Sequence, residues 1–261
     1  MRPNRFENKV VIVTGAAQGI GKAVAESMAA EGATLALIDL SPIVEETVAN
    51  CLEAGAPKCI FRLANLEQHD TATAAIHSAI DELGRVDVLV NNVGGTIWAR
   101  PYEAYEPEQI EKEIRRSLFP PLWGCHAVLD TMQAQKSGVI VNVSSIATRG
   151  LNRVPYAAAK GGVNAITACL ALENAQYGIR VNATAPGGTD VGARRIPRNA
   201  SEQSEQEKIW YQQIVDQTIE SSLMKRYSTP QEQANAILFL ASDESSYLTG
   251  SVIPVGGGDL G

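Results

Sequence analysis

Strand-length apolar runs alternate with helix-length stretches along most of the chain. Residues 9–15 (KVVIVTG), 34–39 (TLALID), 58–64 (KCIFRLA), 86–92 (VDVLVNN), 138–145 (GVIVNVSS), 179–185 (IRVNATA) and 251–255 (SVIPV) read as strands. Between them the pattern predicts helices over about 20–31, 42–52, 67–83 and 106–133, with another opening at VPYAAAKGG, residues 154–162. The strands are near-continuous apolar runs without polar alternation, as parallel strands buried on both faces should be. Repeated strand–helix units of this kind predict an α/β fold, a doubly wound parallel sheet with helices on both faces. No composition break divides residues 1–261, so one domain is expected.

One segment departs from the rhythm. Between Pro186 and Pro230 the chain is polar and carries no strand pattern, while ASEQSEQEKIWYQQIVDQ within it has helical character. A long insertion in a compact domain usually serves the site. A partly helical substrate lid is expected over about 188–229, mobile until ligand binds.

Composition narrows the function classes. With 261 residues, 45% of them hydrophobic, the chain can bury the core of one large α/β domain. A net charge of -7 offers no broad basic face, so nucleic acid is not an expected partner. Cys51, Cys59, Cys125 and Cys169 are scattered without a C-x-x-C pair and read as small core residues in a reducing compartment. His69, His77 and His126 lack metal-ligand spacing, so no metal is expected. The first residues lack a signal-peptide h-region, and no apolar run is of membrane-spanning length; no membrane partner and a cytoplasmic location are expected.

Candidate chemistry lies at the strand ends. TGAAQGIG follows the first strand and opens the first helix, with Gly15, Gly19 and Gly21 in G-x3-G-x-G spacing. Such a turn lets backbone approach a pyrophosphate and aims helix amides at it, as in Rossmann-type sites, although a purely structural turn would look alike. Asp39 ends the second strand, where a carboxylate accepts from ribose hydroxyls; IDLS brings no arginine for a 2′-phosphate, which favours NAD over NADP. The alternative is an Asp that caps the next helix. NNVGG, ending in Gly94 and Gly95, suits backbone packed against a ligand. Tyr156 and Lys160, four apart on a helix, stand on one face.

TGAAQGIG, NNVG, VNVSS, PYAAAK and NATAPGG, in that order, resemble the short-chain dehydrogenase/reductase family from Phe6 onward. The resemblance implies Tyr156 as the acid/base, with Lys160 lowering its pKa and holding the nicotinamide ribose. It implies Ser145 as the group that polarises the substrate oxygen, with Ser144 as the alternative. Cofactor contacts are implied at Gly15, Gln18, Gly19, Ile20, Gly21, Asp39, Asn65, Leu66, Asn92 and Gly94. Further contacts are implied at Tyr156, Lys160, Pro186, Gly187 and Thr189. A free phenol has a pKa of roughly 10, and a neighbouring ammonium favours its ionised form. Three departures stand out: a shortened serine–tyrosine loop, Ser117 where the family has a relay asparagine, and Asn65 where it often has an aspartate. The family's habit implies a homotetramer or homodimer through the fourth and fifth helices and the last strand.

Arg149, Arg153, Arg194, Arg195 and Arg198 crowd the expected substrate side against the chain's overall sign, and Gly95 is a further candidate substrate contact. Arginine forks suit a carboxylate; the alternative is pairing with Glu202, Glu205 and Glu207. Trp98, Phe119 and Trp123 are candidates for flat ring walls. NNVGGTIWARP, RRSLFPPLWGCHA, ATRGLNRVPYAAAKGGVNA, ARRIPRNASEQSEQEKIWYQQIVDQ and SSLMKRY resemble the bacterial benzoate cis-diol dehydrogenases. That resemblance implies NAD-dependent oxidation of 1,6-dihydroxycyclohexa-2,4-diene-1-carboxylate to a catechol with release of carbon dioxide. Rival readings are a dehydrogenase for another hydroxy acid, sugar acid or neutral dihydrodiol, and a non-catalytic NAD-binding sensor. The Tyr156–Lys160 pair argues against the sensor.

Overall fold

Val10–Thr14 (β1) is buried along its whole length, and its pleat divides the core in two. Val11 and Val13 face one side of the sheet and Ile12 the other. The computed structural model, which describes residues 4–199 and 201–261, continues with Gly19–Ala29 (α1), Thr34–Asp39 (β2), Val44–Ala54 (α2) and Cys59–Leu63 (β3). Then come His69–Leu83 (α3), Val88–Asn91 (β4), Pro107–Gln135 (α4), Gly138–Val143 (β5) and Val154–Asn174 (α5). Ile179–Pro186 (β6), Glu205–Ser221 (α6), Pro230–Ala241 (α7) and Val252–Val255 (β7) complete the chain.

The seven strands form one parallel sheet in the order β3-β2-β1-β4-β5-β6-β7. Helices α1, α2 and α7 cover one face through residues such as Met28, Cys51 and Ile237. On the other face α3, α4 and α5 pack Ile76, Met132 and Ala171. The strand order reverses between β1 and β4, so their carboxyl ends part into a crevice. The expected strands all appear. The pattern did not mark α7, a short dense helix whose Thr229–Glu232 capping box is its clearest sequence signal.

Helix α4 runs through Pro120 and Pro121. Neither proline can donate to the carbonyl four residues back, so the Arg116 and Ser117 carbonyls lose their helical donors. The 187–229 segment contains α6 and closes on itself through a parallel bridge between Thr189 and Ser228. Cys51, Cys59 and Cys125 are core residues as expected, whereas Cys169 is exposed on α5, a correction. Among the described residues no helix is long and apolar enough to cross a membrane, and no cluster of three or more His, Cys, Asp or Glu could hold a metal.

Candidate active site

The carboxyl ends of the central strands open into a cavity of about 780 Å³, and one end of it is largely backbone. Gly15 and Gly19 take left-handed φ values of 66° and 62°, which glycine adopts without strain. Helix α1 has no side chain capping its first amides and no acid in its first turn, so those donors remain for an anion. Gly15, Gln18, Gly19 and Ile20 line this end. Gly21 does not, a correction: it sits behind the turn, where a Cβ would collide with the Gly15 carbonyl. Asn92 braces the turn, its Nδ2 donating to the Thr14 and Gly15 carbonyls at 3.2 and 3.0 Å.

Asp39 lines the same end with both oxygens fixed. Oδ2 accepts from the Ala17 N–H and Oδ1 from the Ser41 N–H, each at 2.9 Å. It does not cap α2, whose N-cap is Ile43 without a side-chain bond. Each carboxylate oxygen keeps a lone pair for a further donor. Asn65, Leu66, Gly94, Pro186, Gly187 and Thr189 line the rest of this region.

Pro155 is the second residue of α5, and one turn separates Tyr156 from Lys160, both buried. The Lys160 Nζ lies 5.9 Å from the centre of the Tyr156 ring and donates to the Val143 carbonyl at 2.6 Å. Burial, with repulsion from Arg198 added, pulls Lys160 down to about 7. A Cβ on Gly94 would stand 3.0 Å from Nζ, so glycine there leaves the ammonium room. The two serines part company. Ser144 Oγ donates toward the Lys160 carbonyl and the Asn164 side chain, which commits its one proton to holding α5. Ser145 Oγ accepts from the Ala147 N–H at 3.0 Å and keeps its own proton for the cavity. Ser117 is wholly buried outside the lining, where its Oγ accepts from the Gly95 N–H at 3.2 Å.

Of the five expected arginines, Arg153, Arg194 and Arg198 reach the cavity, beside Gly95. Arg149 and Arg195 do not, and both are corrections. Arg149 is exposed on the surface, and Arg195 reaches back to Glu46 at 2.6 Å. The lid glutamates find other partners: Glu207 takes Arg100 and Glu205 takes Lys208. Arg153 and Arg198 face one another's charge, and burial lowers the Arg153 pKa. Lost hydration at the mouth, together with Arg198, lowers Arg194 to about 10. The guanidinium of Arg198 lies across Gly95, where a Cβ would collide with it.

Sequence reasoning missed several residues. Tyr211, Ile214 and Tyr227 supply the flat and apolar wall, while Trp98, Phe119 and Trp123 lie outside the lining, a further correction. Phe119 and Trp123 instead stack on α4, with His69 against Trp123. Glu113, wholly buried on α4, accepts from the Ile97 and Trp98 amides at 2.7 and 2.9 Å with one oxygen, and its other oxygen has no partner among the described residues. Together with Ser117 one turn on, it pins the loop that floors the substrate end. The lid is fastened at both ends of the cavity. Gln18 donates to the Ile196 carbonyl at 2.9 Å and accepts from its N–H at 3.3 Å, while Asn152 donates to Gln213 at 2.8 Å. Nothing in the spacing of these residues announces such long-range ties.

A Gly-rich cradle, a Tyr–Lys pair and a free serine hydroxyl in one cavity define a dehydrogenase, and the chain belongs to the short chain dehydrogenase family, whose model matches residues 9–202. It is 59% identical over 98% of its length, and 94% of the relative's, to a 1,6-dihydroxycyclohexa-2,4-diene-1-carboxylate dehydrogenase of Pseudomonas putida. A protein of the same description from Acinetobacter baylyi is 57% identical, with 98% of each chain covered. Among solved structures, NAD+-bound xylitol dehydrogenase superposes with a TM-score of 0.85 at 28% identity, covering 97% of this chain and 99% of that one.

Proposed function

We propose that this enzyme oxidises 1,6-dihydroxycyclohexa-2,4-diene-1-carboxylate, or a ring-substituted analogue, with NAD, giving a catechol and carbon dioxide. The observation that carries the reading is the positive end of the cavity, where Arg153, Arg194 and Arg198 stand near Tyr156 in a chain of net charge -7. Such a crowd calls for an anionic substrate. The relatives of matching description, at 57% and 59% identity, support the same substrate class.

The other end fits a dinucleotide. Left-handed glycines and uncapped α1 amides suit a pyrophosphate, and the fixed Asp39 suits ribose hydroxyls. Bound NAD supplies the hydride acceptor. The protein's own groups orient the diol and move the proton. Ser145 donates a hydrogen bond to the oxygen at the carbon being oxidised, and Tyr156 takes that hydroxyl's proton. Lys160, held by the Val143 carbonyl and titrating near neutrality, places positive charge beside the phenol whenever it is protonated. Ser117 offers its unpaired carbonyl to a relay water in place of the family's asparagine. The ring carbon that bears the carboxylate has no hydrogen, so the hydride leaves from its neighbour. The resulting β-keto acid loses carbon dioxide, and the electrons of the broken C–C bond complete the aromatic ring. In this reading the lid closes water out, and a cytoplasmic homotetramer or homodimer packs through α4 and α5. The exposed Leu172 on α5 supports such a covered face.

The test follows NADH absorbance with the cis-diol acid and measures catechol by chromatography. Equal amounts of NADH and catechol are expected. Turnover of a neutral diol or sugar acid without turnover of the cis-diol acid would sink the arginine argument. Cofactor binding with no turnover of any hydroxy compound would bring the sensor forward. Cofactor choice has its own check. Asp39→Ser is expected to raise the KM for NAD+ by about tenfold, since a charged acceptor is lost, and to narrow the NAD+/NADP+ ratio of kcat/KM. An unchanged ratio would remove Asp39 from cofactor selection.

A further inference from the structure

We infer that Arg153 is the residue that holds the substrate carboxylate and so sets the preference for an acid over a neutral diol; this rests on the substrate reading given above. The arginines around the cavity sort by their surroundings. Arg116 lines it but is held by Glu67, and Arg194 and Arg198 line it from the exposed lid with no buried, unpartnered nitrogen of their own among the described residues. Arg153 combines a cavity position with a buried Nε that, among the described residues, has no hydrogen-bond partner. Among those residues it also pairs with no carboxylate within 4.0 Å, as Arg100, Arg116 and Arg195 do. A half-buried guanidinium whose buried Nε lacks a partner is costly, and a ligand anion removes that cost.

Position singles it out a second time. In the diol acid the carboxylate is carried by the carbon next to the one that is oxidised. With the reacting hydroxyl on Tyr156, the carboxylate must lie beside the phenol and cannot reach far into the lid. Arg153 is the N-cap of α5, one turn before Tyr156, and its charge is drawn toward both Tyr156 and Tyr227. No side chain caps this helix start, so the positive end of α5 adds to the pull on an anion at the same place. The lid arginines then act as the outer wall of a positive pocket whose anchor is Arg153.

Arg153→Met, Arg153→Lys and Arg198→Met are compared with wild type on the cis-diol acid and on a neutral cis-dihydrodiol lacking the carboxylate. For Arg153→Met the acid-over-neutral ratio of kcat/KM is expected to fall about 100-fold, chiefly through KM for the acid, as when one partner of a buried charge pair is truncated. Arg153→Lys keeps the charge without the fork and is expected to recover part of the ratio. NAD+ affinity, read by titration, reports on the fold. Should Arg153→Met lose NAD+ binding, Arg153→Lys carries the test, and its KM for the acid must then rise about fivefold or more. An unchanged ratio at position 153, or a collapse in Arg198→Met in its place, overturns the inference. Wild type that shows no preference for the acid overturns the substrate reading itself, which is a separate result.

Discussion

Tyr156→Phe is expected to lower kcat by about 10³-fold while NAD+ affinity stays within about twofold, because the variant deletes one proton acceptor and little else. The ring is buried at the start of α5 and lies under the Lys160 ammonium, and phenylalanine keeps that packing. What disappears is the oxygen proposed above to take the substrate proton. Ser145 cannot replace it: its Oγ is already an acceptor for the Ala147 amide, and an aliphatic hydroxyl stays protonated at neutral pH. Stopped-flow NADH absorbance, with cofactor titration beside it, separates chemistry from binding. A kcat within tenfold of wild type would mean that the proton leaves by another route.

Glu113 carries the largest stability effect. Burial raises its pKa from 4.5 to about 7, against the pull of two amide donors and of Arg198 and Arg116, with Tyr105 also close by. In the unfolded chain the carboxyl loses its proton near its ordinary value, whereas the folded chain holds it to about neutrality. Between those values the native state binds more protons than the unfolded one, so stability falls as pH rises. Over that window the loss amounts to about 3 kcal/mol. Glu113→Gln keeps an oxygen for the Ile97 and Trp98 amides and never ionises. Relative to wild type, the variant is therefore expected to gain stability between about pH 4.5 and pH 7 and to keep a constant difference above that, measured by urea melts. Parallel curves for the two proteins would show that Glu113 is ionised throughout.

The sheet was legible because a parallel strand buried on both faces must be apolar throughout, and no other local feature imitates that signal over so many repeats. The Gly-rich turn and the Tyr156–Lys160 spacing were legible for a related reason: both are local, within one turn or one loop. What stayed hidden is long-range. Arg149 and Arg153 look alike in ATRGLNRVP, and only the fold turns one to the solvent and the other to the cavity. Glu113 sits among the charges of IEKEIRR and gives no sign that it meets the amides of residues 97 and 98. Ser144 and Ser145 were separable once Asn164 came alongside the first of them. Gly21 shows the same limit: the motif marks it as a cofactor contact, whereas in the fold its lack of a side chain makes room for the Gly15 carbonyl.

The unpaired cations around Tyr156 have a consequence for anyone who tries to improve this protein. Lys160, Arg153 and Arg194 each feel the charge of Arg198, so the cationic side of the cavity is where the chain works against its own stability. A laboratory selection for heat tolerance will find neutral side chains at Arg153 and Arg194 early, and each such gain weakens the anion-holding pocket proposed above.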